Sequence, residues 1–179
     1  MENDTLDVIL SRSSIRAYTP QALSMDQTDA LVSAALAAPS GMNSQPWHIS
    51  VVTDRALLDE IDGESMRILG EKDPVALDRM LSRGGKILYD APEVFFISGT
   101  SALDAGILVQ NIALAAQSLG LGSVILGLPG LVFAGPRGAE FAKRLAFPEG
   151  YPFQIAIAVG YIAAGKAPHE RDISKVSFI

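Results

Sequence analysis

Two polar clusters in the first 47 residues carry side chains that could hold a small charged heterocycle. In Ser11-Arg12-Ser13-Ser14-Ile15-Arg16, two guanidiniums flank a run of hydroxyls, a donor set suited to bidentate capture of a phosphate. The second cluster is Ala38-Pro39-Ser40-Gly41-Met42-Asn43-Ser44-Gln45-Pro46-Trp47. Pro39 and Pro46 fix their own φ and push the preceding residue out of the α region, so the chain is held open there. Gly41 leaves room for close backbone approach. Ser40, Asn43, Ser44 and Gln45 both donate and accept hydrogen bonds, which matches the mixed edges of a flat polar ring. Taken alone, this loop also reads as an ordinary helix-to-strand connection, with Trp47 packing into the core where the strand begins.

Together the clusters resemble the Arg-Arg-Ser-x-Arg start and the Ala-Pro-Ser-x-x-Asn-x-Gln-Pro-Trp loop of the FMN-dependent nitroreductase family. The loop matches at every specified position, whereas Ser13 stands where the start has its second arginine; Arg12, Ser14 and Arg16 match. The resemblance covers essentially the whole chain. It implies an α+β, three-layer sandwich with a mixed, mainly antiparallel sheet flanked by helices, in an intertwined homodimer. It also implies an FMN-dependent oxidoreductase in which NAD(P)H delivers hydride to flavin N5. Electrons then pass to a small organic acceptor, such as a nitroaromatic or quinone, by ping-pong exchange at one open face. The flavin would carry the chemistry, so no catalytic side chain is expected.

By the same resemblance, Arg12, Ser13, Ser14 and Arg16 would contact the FMN phosphate and ribityl chain. Pro39, Ser40, Asn43 and Gln45 would surround the isoalloxazine, some of them from the partner subunit. His169-Glu170-Arg171 matches a C-terminal basic-x-Arg pair, with His169 replacing lysine and making that charge a titrating one. Lys86 is the candidate cation beside the flavin pyrimidine, and Leu126 and Gly127 would offer backbone groups. A solvated lysine and a simple strand end are the competing readings of these last two features. A non-enzymatic flavin-binding or regulatory module, or a dehalogenase-like or flavin-destroying branch of the fold, is the alternative function.

These residues need elements to position them. Leu6, Ile9 and Leu10 share one face of a short helix over residues 5–10, which delivers the chain to the Arg/Ser cluster. Ser24 and Gln27 form a capping-box pattern, and Leu31, Ala34, Ala35 and Ala38 recur at helical spacing, predicting a helix over residues 25–37. Strands are expected at 48–53, 92–98, 121–127 and 153–161, and Asp54 caps a short helix through Ile61. A long apolar helix over 102–119 ends at Gly120, and a further helix covers 138–145. The stretch from Gly63 to Gly85 is poorly patterned apart from a helix near residues 76–81. It reads as a mobile part of the site mouth or as a solvated surface segment. Helices and strands alternate without a strict βαβ repeat, giving an α+β sandwich. The residues after Gly165 read as an extended polar tail which, by the resemblance, wraps the partner subunit.

Composition removes other classes. At 179 residues and 49% hydrophobic content, the chain supports one domain over residues 1–179. A net charge of -6 and a pI near 4.8 oppose nucleic-acid binding. With no cysteine, disulfides, thiolate metal sites, iron–sulfur clusters and cysteine nucleophiles are excluded. His48 and His169 lack partners at ligand spacing, so no metal site is expected. Gly120-Leu121-Gly122 precedes a strand, the reverse of a dinucleotide-binding turn, and Ser40 lacks a Gly-x-Ser-x-Gly elbow. The start Met1-Glu2-Asn3-Asp4 lacks a basic n-region and an apolar h-region, so a cytoplasmic protein is expected. Mean hydropathy is +0.28, yet polar residues including Asp104, Gln110, Asn111 and Gln117 interrupt the most apolar stretch. The excess apolar surface therefore points to a second copy of the chain and away from a membrane.

Overall fold

Four segments rich in β-branched and aromatic residues pair into one sheet: β1 (Trp47–Val52), β2 (Glu93–Gly99), β3 (Gly122–Leu126) and β4 (Phe153–Gly160). Their order is β1-β2-β4-β3 and all three pairings are antiparallel. The sheet thus carries a parallel component only as a single bridge from Ser14 to Ser123 among the described residues. The structure, a computed structural model, describes residues 3–179. The acidic start at Met1 and Glu2 lies outside the described residues.

Alternation along β2 sends side chains to two cores. Phe95 and Ile97, with Ile157 and Val159 of β4, meet Leu31 and Ala35 of α2 (Met25–Leu36) and Leu108 and Ile112 of α5 (Ala102–Ser118). On the other face, Val94 and Phe96, with Ala156 and Ala158, meet Leu58 and Ile61 of α3 (Arg55–Lys72) and Phe141 of α7 (Gly138–Arg144). Three layers result, helix on sheet on helix. Phe95 and Phe96 are fully buried, each burial stabilising the fold by roughly 1.5–3 kcal/mol.

Local signals explain most boundaries. The Ser24–Gln27 capping box starts α2: the Gln27 amide donates to Ser24 Oγ at 3.3 Å and the Ser24 amide to Gln27 Oε1 at 2.9 Å. Gly120, at φ +73°, closes α5, and the Leu121 amide returns to the Ala116 carbonyl at 2.8 Å.

Over residues 63–72 the structure overturns the expectation of poorly patterned chain, whereas the helix expected near residues 76–81 is present. α3 continues to Lys72, because Ser65, Ile68 and Leu69 extend the buried stripe of Leu58 and Ile61 at helical spacing. Arg67, paired with Glu64 and Glu71 on the outer face, supports the added turns. α4 (Pro74–Leu81) follows, capped by Asp73 with Pro74 in its first turn. Gly70 marks where the two helices meet, its α carbon facing the end of the Leu77 side chain, so that a Cβ there would fall 2.9 Å from Leu77 Cδ2. Leu69, Met80 and Ile87 form a third small core. A short helix, α6 (Gly130–Phe133), lies between β3 and α7.

α1 (Asp4–Ser11) buries no residue, and Leu6, Ile9 and Leu10 stay exposed. Residues 162–179 are exposed throughout, ending in Val176, Phe178 and Ile179. Among the described residues no helix is long and apolar enough to cross a membrane.

Glu93, at the head of β2, is buried and accepts from Thr28 Oγ1 of α2 at 2.8 Å. Desolvation by burial raises its pKa above the ordinary 4.5, with the Thr28 bond opposing. The folded state therefore favours the neutral acid, and that contribution is present below pH 4.5 and lost as pH rises through the raised value. Urea unfolding of Glu93→Gln and the wild type across this range should show the stability difference moving in the variant's favour as pH rises.

Candidate functional site

The Arg/Ser cluster leaves α1 at Arg12, where the backbone turns extended (φ -57°, ψ 134°). It then runs along the outer edge of β3: the Ile15 amide donates to the Ser123 carbonyl at 2.9 Å. Gly122 makes this close approach possible, since a Cβ there would lie 2.7 Å from Ile15 Cγ2. Ile15 and Ser13 are consequently buried, while Ser14 is half-buried and Arg16 exposed. The Tyr18 hydroxyl donates to the Ile15 carbonyl at 2.7 Å, and burial holds that phenol well above its ordinary pKa, so it remains a donor.

Arg16 donates to the Ser14 carbonyl at 3.4 Å, and its guanidinium carbon sits 5.9 Å from the centre of the Tyr89 ring. Among the described residues, no carboxylate is within ion-pair distance of Arg12 or Arg16. Both cations keep their charge for an anion from outside.

The second cluster is anchored at both ends, with Ala38 and Trp47 buried in the α2/α5 core. Between them Met42, Asn43 and Gln45 take φ of 52°, 55° and 46°, left-handed conformations costing on the order of 1–3 kcal/mol each. Ser40 stabilises the loop from within, its Oγ accepting from the Gln45 amide at 2.9 Å, while Gln45 Nε2 donates to Asn43 Oδ1 at 3.2 Å. Pro39, Asn43 and Gln45 face solvent. The Pro46 carbonyl accepts from the Thr100 amide at 3.1 Å, and a Cβ on Gly99 would fall 2.2 Å from that carbonyl oxygen.

The two clusters stand at diagonally opposite corners of the sheet. The loop enters β1, paired through Trp47 to Gly99, and the Arg/Ser segment lies beside Ser123 at the start of β3. β1 and β3 are opposite edges. Three strand spacings separate them, about 14 Å, with a further offset of about 20 Å along the strands. The core fills the space between.

Leu126 and Gly127 share the β3 edge with the Arg/Ser segment, about 10 Å further along it. The Leu126 side chain is buried in the core and Gly127 is exposed. Lys86 is not the lone cation that its sequence setting suggests. It pairs with Asp90 and, at 3.0 Å, with Asp59, and these carboxylates hold its ammonium above the ordinary pKa. His169 and Arg171 lie in the exposed tail, apart from both clusters in hydrogen bonding and ion pairing. Sequence reasoning missed Tyr89, because nothing in Leu88-Tyr89-Asp90 marks a ring that will meet an arginine 73 positions earlier. It also missed Gly99, whose only signal is a glycine closing an apolar run. No group of three or more His, Asp or Glu side chains is placed to hold a metal ion among the described residues.

Residues 9–161 match the family model described as the Nitroreductase family. The chain belongs to that family. A nitroreductase with bound FMN from Desulfitobacterium hafniense DCB-2 is 39% identical over the whole of both chains, with a TM-score of 0.96. An FMN-dependent nitroreductase from Clostridium difficile R20291 is 32% identical, again with full coverage of both chains, at a TM-score of 0.87. An NADPH-flavin oxidoreductase of Vibrio harveyi is 32% identical over 89% of this chain and 66% of its own length. In this nitroreductase-family chain, the entry of the loop into β1 rests on the close approach of Gly99 to the Pro46 carbonyl.

Gly99→Ala should lower folding stability by about 1–3 kcal/mol through overpacking against the Pro46 carbonyl. Gly41→Ala, where a Cβ would meet nothing within 4 Å, should leave stability within about 0.5 kcal/mol of wild type. Denaturant titration of the two variants checks both.

Proposed function

We propose that this chain is an FMN-dependent oxidoreductase that uses NAD(P)H to reduce a small organic acceptor by ping-pong exchange, working as a cytoplasmic homodimer. The observation that carries the reading is the pair of guanidiniums without carboxylate partners, Arg12 and Arg16, beside the Ser13 and Ser14 hydroxyls on the β3 edge. Such a set suits a phosphomonoester, as on FMN, better than an uncharged ligand. The FMN in the named D. hafniense relative and the NADPH in the name of the V. harveyi relative support cofactor and donor.

Arg12, Ser13, Ser14 and Arg16 would bind the phosphate and ribityl chain, and the Leu126–Gly127 backbone would meet the ring further along the same edge. Pro39, Ser40, Asn43 and Gln45 would close over the ring from the partner copy, because in their own chain they stand at the far corner. Lys86, His169 and Arg171 complete the proposed set, the tail pair approaching from an exposed segment. Bound FMN supplies hydride transfer between nicotinamide and acceptor. The chain's task is to fix the phosphate, orient the ring and leave one face open to both partners in turn, which no general acid in the set is needed for.

The surface supports a second copy. Leu6, Ile9 and Leu10 of α1, Leu36 of α2 and Leu103 of α5 are all exposed on the same helical layer. β1 is an edge strand whose outer backbone groups are free to pair, and the tail exposes Ile173, Val176, Phe178 and Ile179.

Purified protein should show a flavin absorption spectrum and release FMN on denaturation. Arg12→Ala/Arg16→Ala should bind FMN at least about tenfold more weakly, since each lost charge-assisted contact is worth roughly 1.5–3 kcal/mol. Unchanged FMN affinity in that variant would overturn the site assignment. Mixing it with Asn43→Ala/Gln45→Ala under subunit exchange should regain about a quarter of wild-type sites, if each site draws on two copies of a twofold dimer. No regain on exchange would overturn the shared site.

A further inference from the structure

Arg16 stands on a turn that is held under strain. Tyr89 and Asp90 take φ of +56° and +54°, two successive non-glycine residues in the left-handed region. Such a pair persists only where its surroundings over-determine it. Here α3 provides the restraint. Asp62, 3% exposed, accepts through one oxygen from the Ile87 and Leu88 amides, both at 2.8 Å. Arg55 donates to the Ala91 carbonyl at 3.2 Å, and Lys86 ties Asp90 to Asp59 of α3. The Tyr89 ring packs against both cores on this side of the sheet. Its position is therefore fixed from behind, and the guanidinium of Arg16 rests on it from the solvent side.

From this arrangement we infer that Tyr89 is a positioning residue for the phosphate clamp, its π face holding Arg16 in place. The inference rests on the reading of Arg12 and Arg16 as the FMN phosphate clamp. A long arginine side chain needs a partner to restrict its rotamers, and a carboxylate in that place would compete with phosphate for the same donors. An aromatic face attracts the cation and leaves the planar fork of N–H groups free at its edge. Arg137 and Arg144 also lie over an aromatic ring, that of Phe141, but they, like Arg55 and Arg67, are paired with carboxylates, whereas Arg16 has the ring alone.

The test compares FMN with riboflavin, which has the same ring and ribityl chain but no phosphate. Affinities of the full-length apoprotein for both are measured by flavin fluorescence for the wild type, Arg16→Ala, Tyr89→Phe, Tyr89→Leu and the Arg16→Ala/Tyr89→Leu double variant. Tyr89→Leu should lower the FMN-to-riboflavin affinity ratio about three- to tenfold. Tyr89→Phe should keep it, and the double variant should fall no further than Arg16→Ala alone. A loss of both affinities together, an unchanged ratio in Tyr89→Leu, or an additive double variant would overturn the role of Tyr89 and leave the clamp standing. An unchanged ratio in Arg16→Ala would overturn the clamp itself. Should Tyr89→Leu fail to fold, phenylalanines of increasing fluorination at position 89 keep the shape and drain the π face. A ratio that falls along that series supports the inference, and a flat series overturns it.

Discussion

The burial of β2 on both faces is the constraint on which the rest of this structure depends. Every residue from Glu93 to Gly99 is buried, with β1 and β4 bonded on either side. The middle of the sheet therefore has neither a free backbone group nor a free face, and anything polar must attach at the two edges. That is where the two clusters sit: the Arg/Ser segment bridges onto β3, and the Pro-bounded loop runs into β1. The same burial demands small residues where chain crosses the sheet margin. Gly99 under Pro46 and Gly122 under Ile15 occupy those two crossings. Each cluster is thus fixed by a glycine that belongs to the strand and not to the cluster.

The sequence made the polar clusters, the strands and the capped helices α2 and α5 legible, because each rests on a local signal: a proline pair, a capping box, an apolar alternation, a C-terminal glycine. Features that depend on distant chain were not legible. α3 runs eleven residues past Ile61 because its buried stripe continues through Ser65, Ile68 and Leu69, and glycines at 63 and 70 mask that stripe to a reader of propensity alone. Gly70 breaks no helix here; it faces Leu77 of α4. Lys86 reads as a solitary lysine until α3 brings Asp59 beside it. Tyr89 and Asp90 have no glycine to announce a left-handed turn, and the restraint that allows it comes from Asp62, 25 positions before Ile87.

An acidic chain that is proposed to hold a phosphate needs its cations kept out of local ion pairs. The distribution of charge achieves this by segregation. Glu60 and Glu140 engage Arg137 and Arg144 on the α3/α7 side, Glu64 and Glu71 engage Arg67, and Asp59 and Asp90 engage Lys86. Solvent screens these surface pairs, so each adds little to stability. Their larger consequence is spatial, because they gather carboxylates around other cations and away from Arg12 and Arg16. A net charge of -6 then coexists with a local positive site.

Strain and exposure tell a consistent story about the second cluster. Three left-handed residues within four positions, at 42, 43 and 45, hold Met42 and the polar Asn43 and Gln45 side chains outward while the loop bonds to itself through Ser40. A free surface loop would relax by adopting ordinary dihedrals, so anchoring at Ala38 and Trp47 must offset the cost. In a single chain that cost has no return, since the loop faces solvent at the corner farthest from the Arg/Ser segment. In the proposed homodimer, two copies facing each other through the apolar α1, α2 and α5 layer would bring the loop of one against the β3 edge of the other. On that proposed assembly, the strained loop, the unpaired guanidiniums and the exposed helical layer would share one explanation, which the chain considered by itself does not offer.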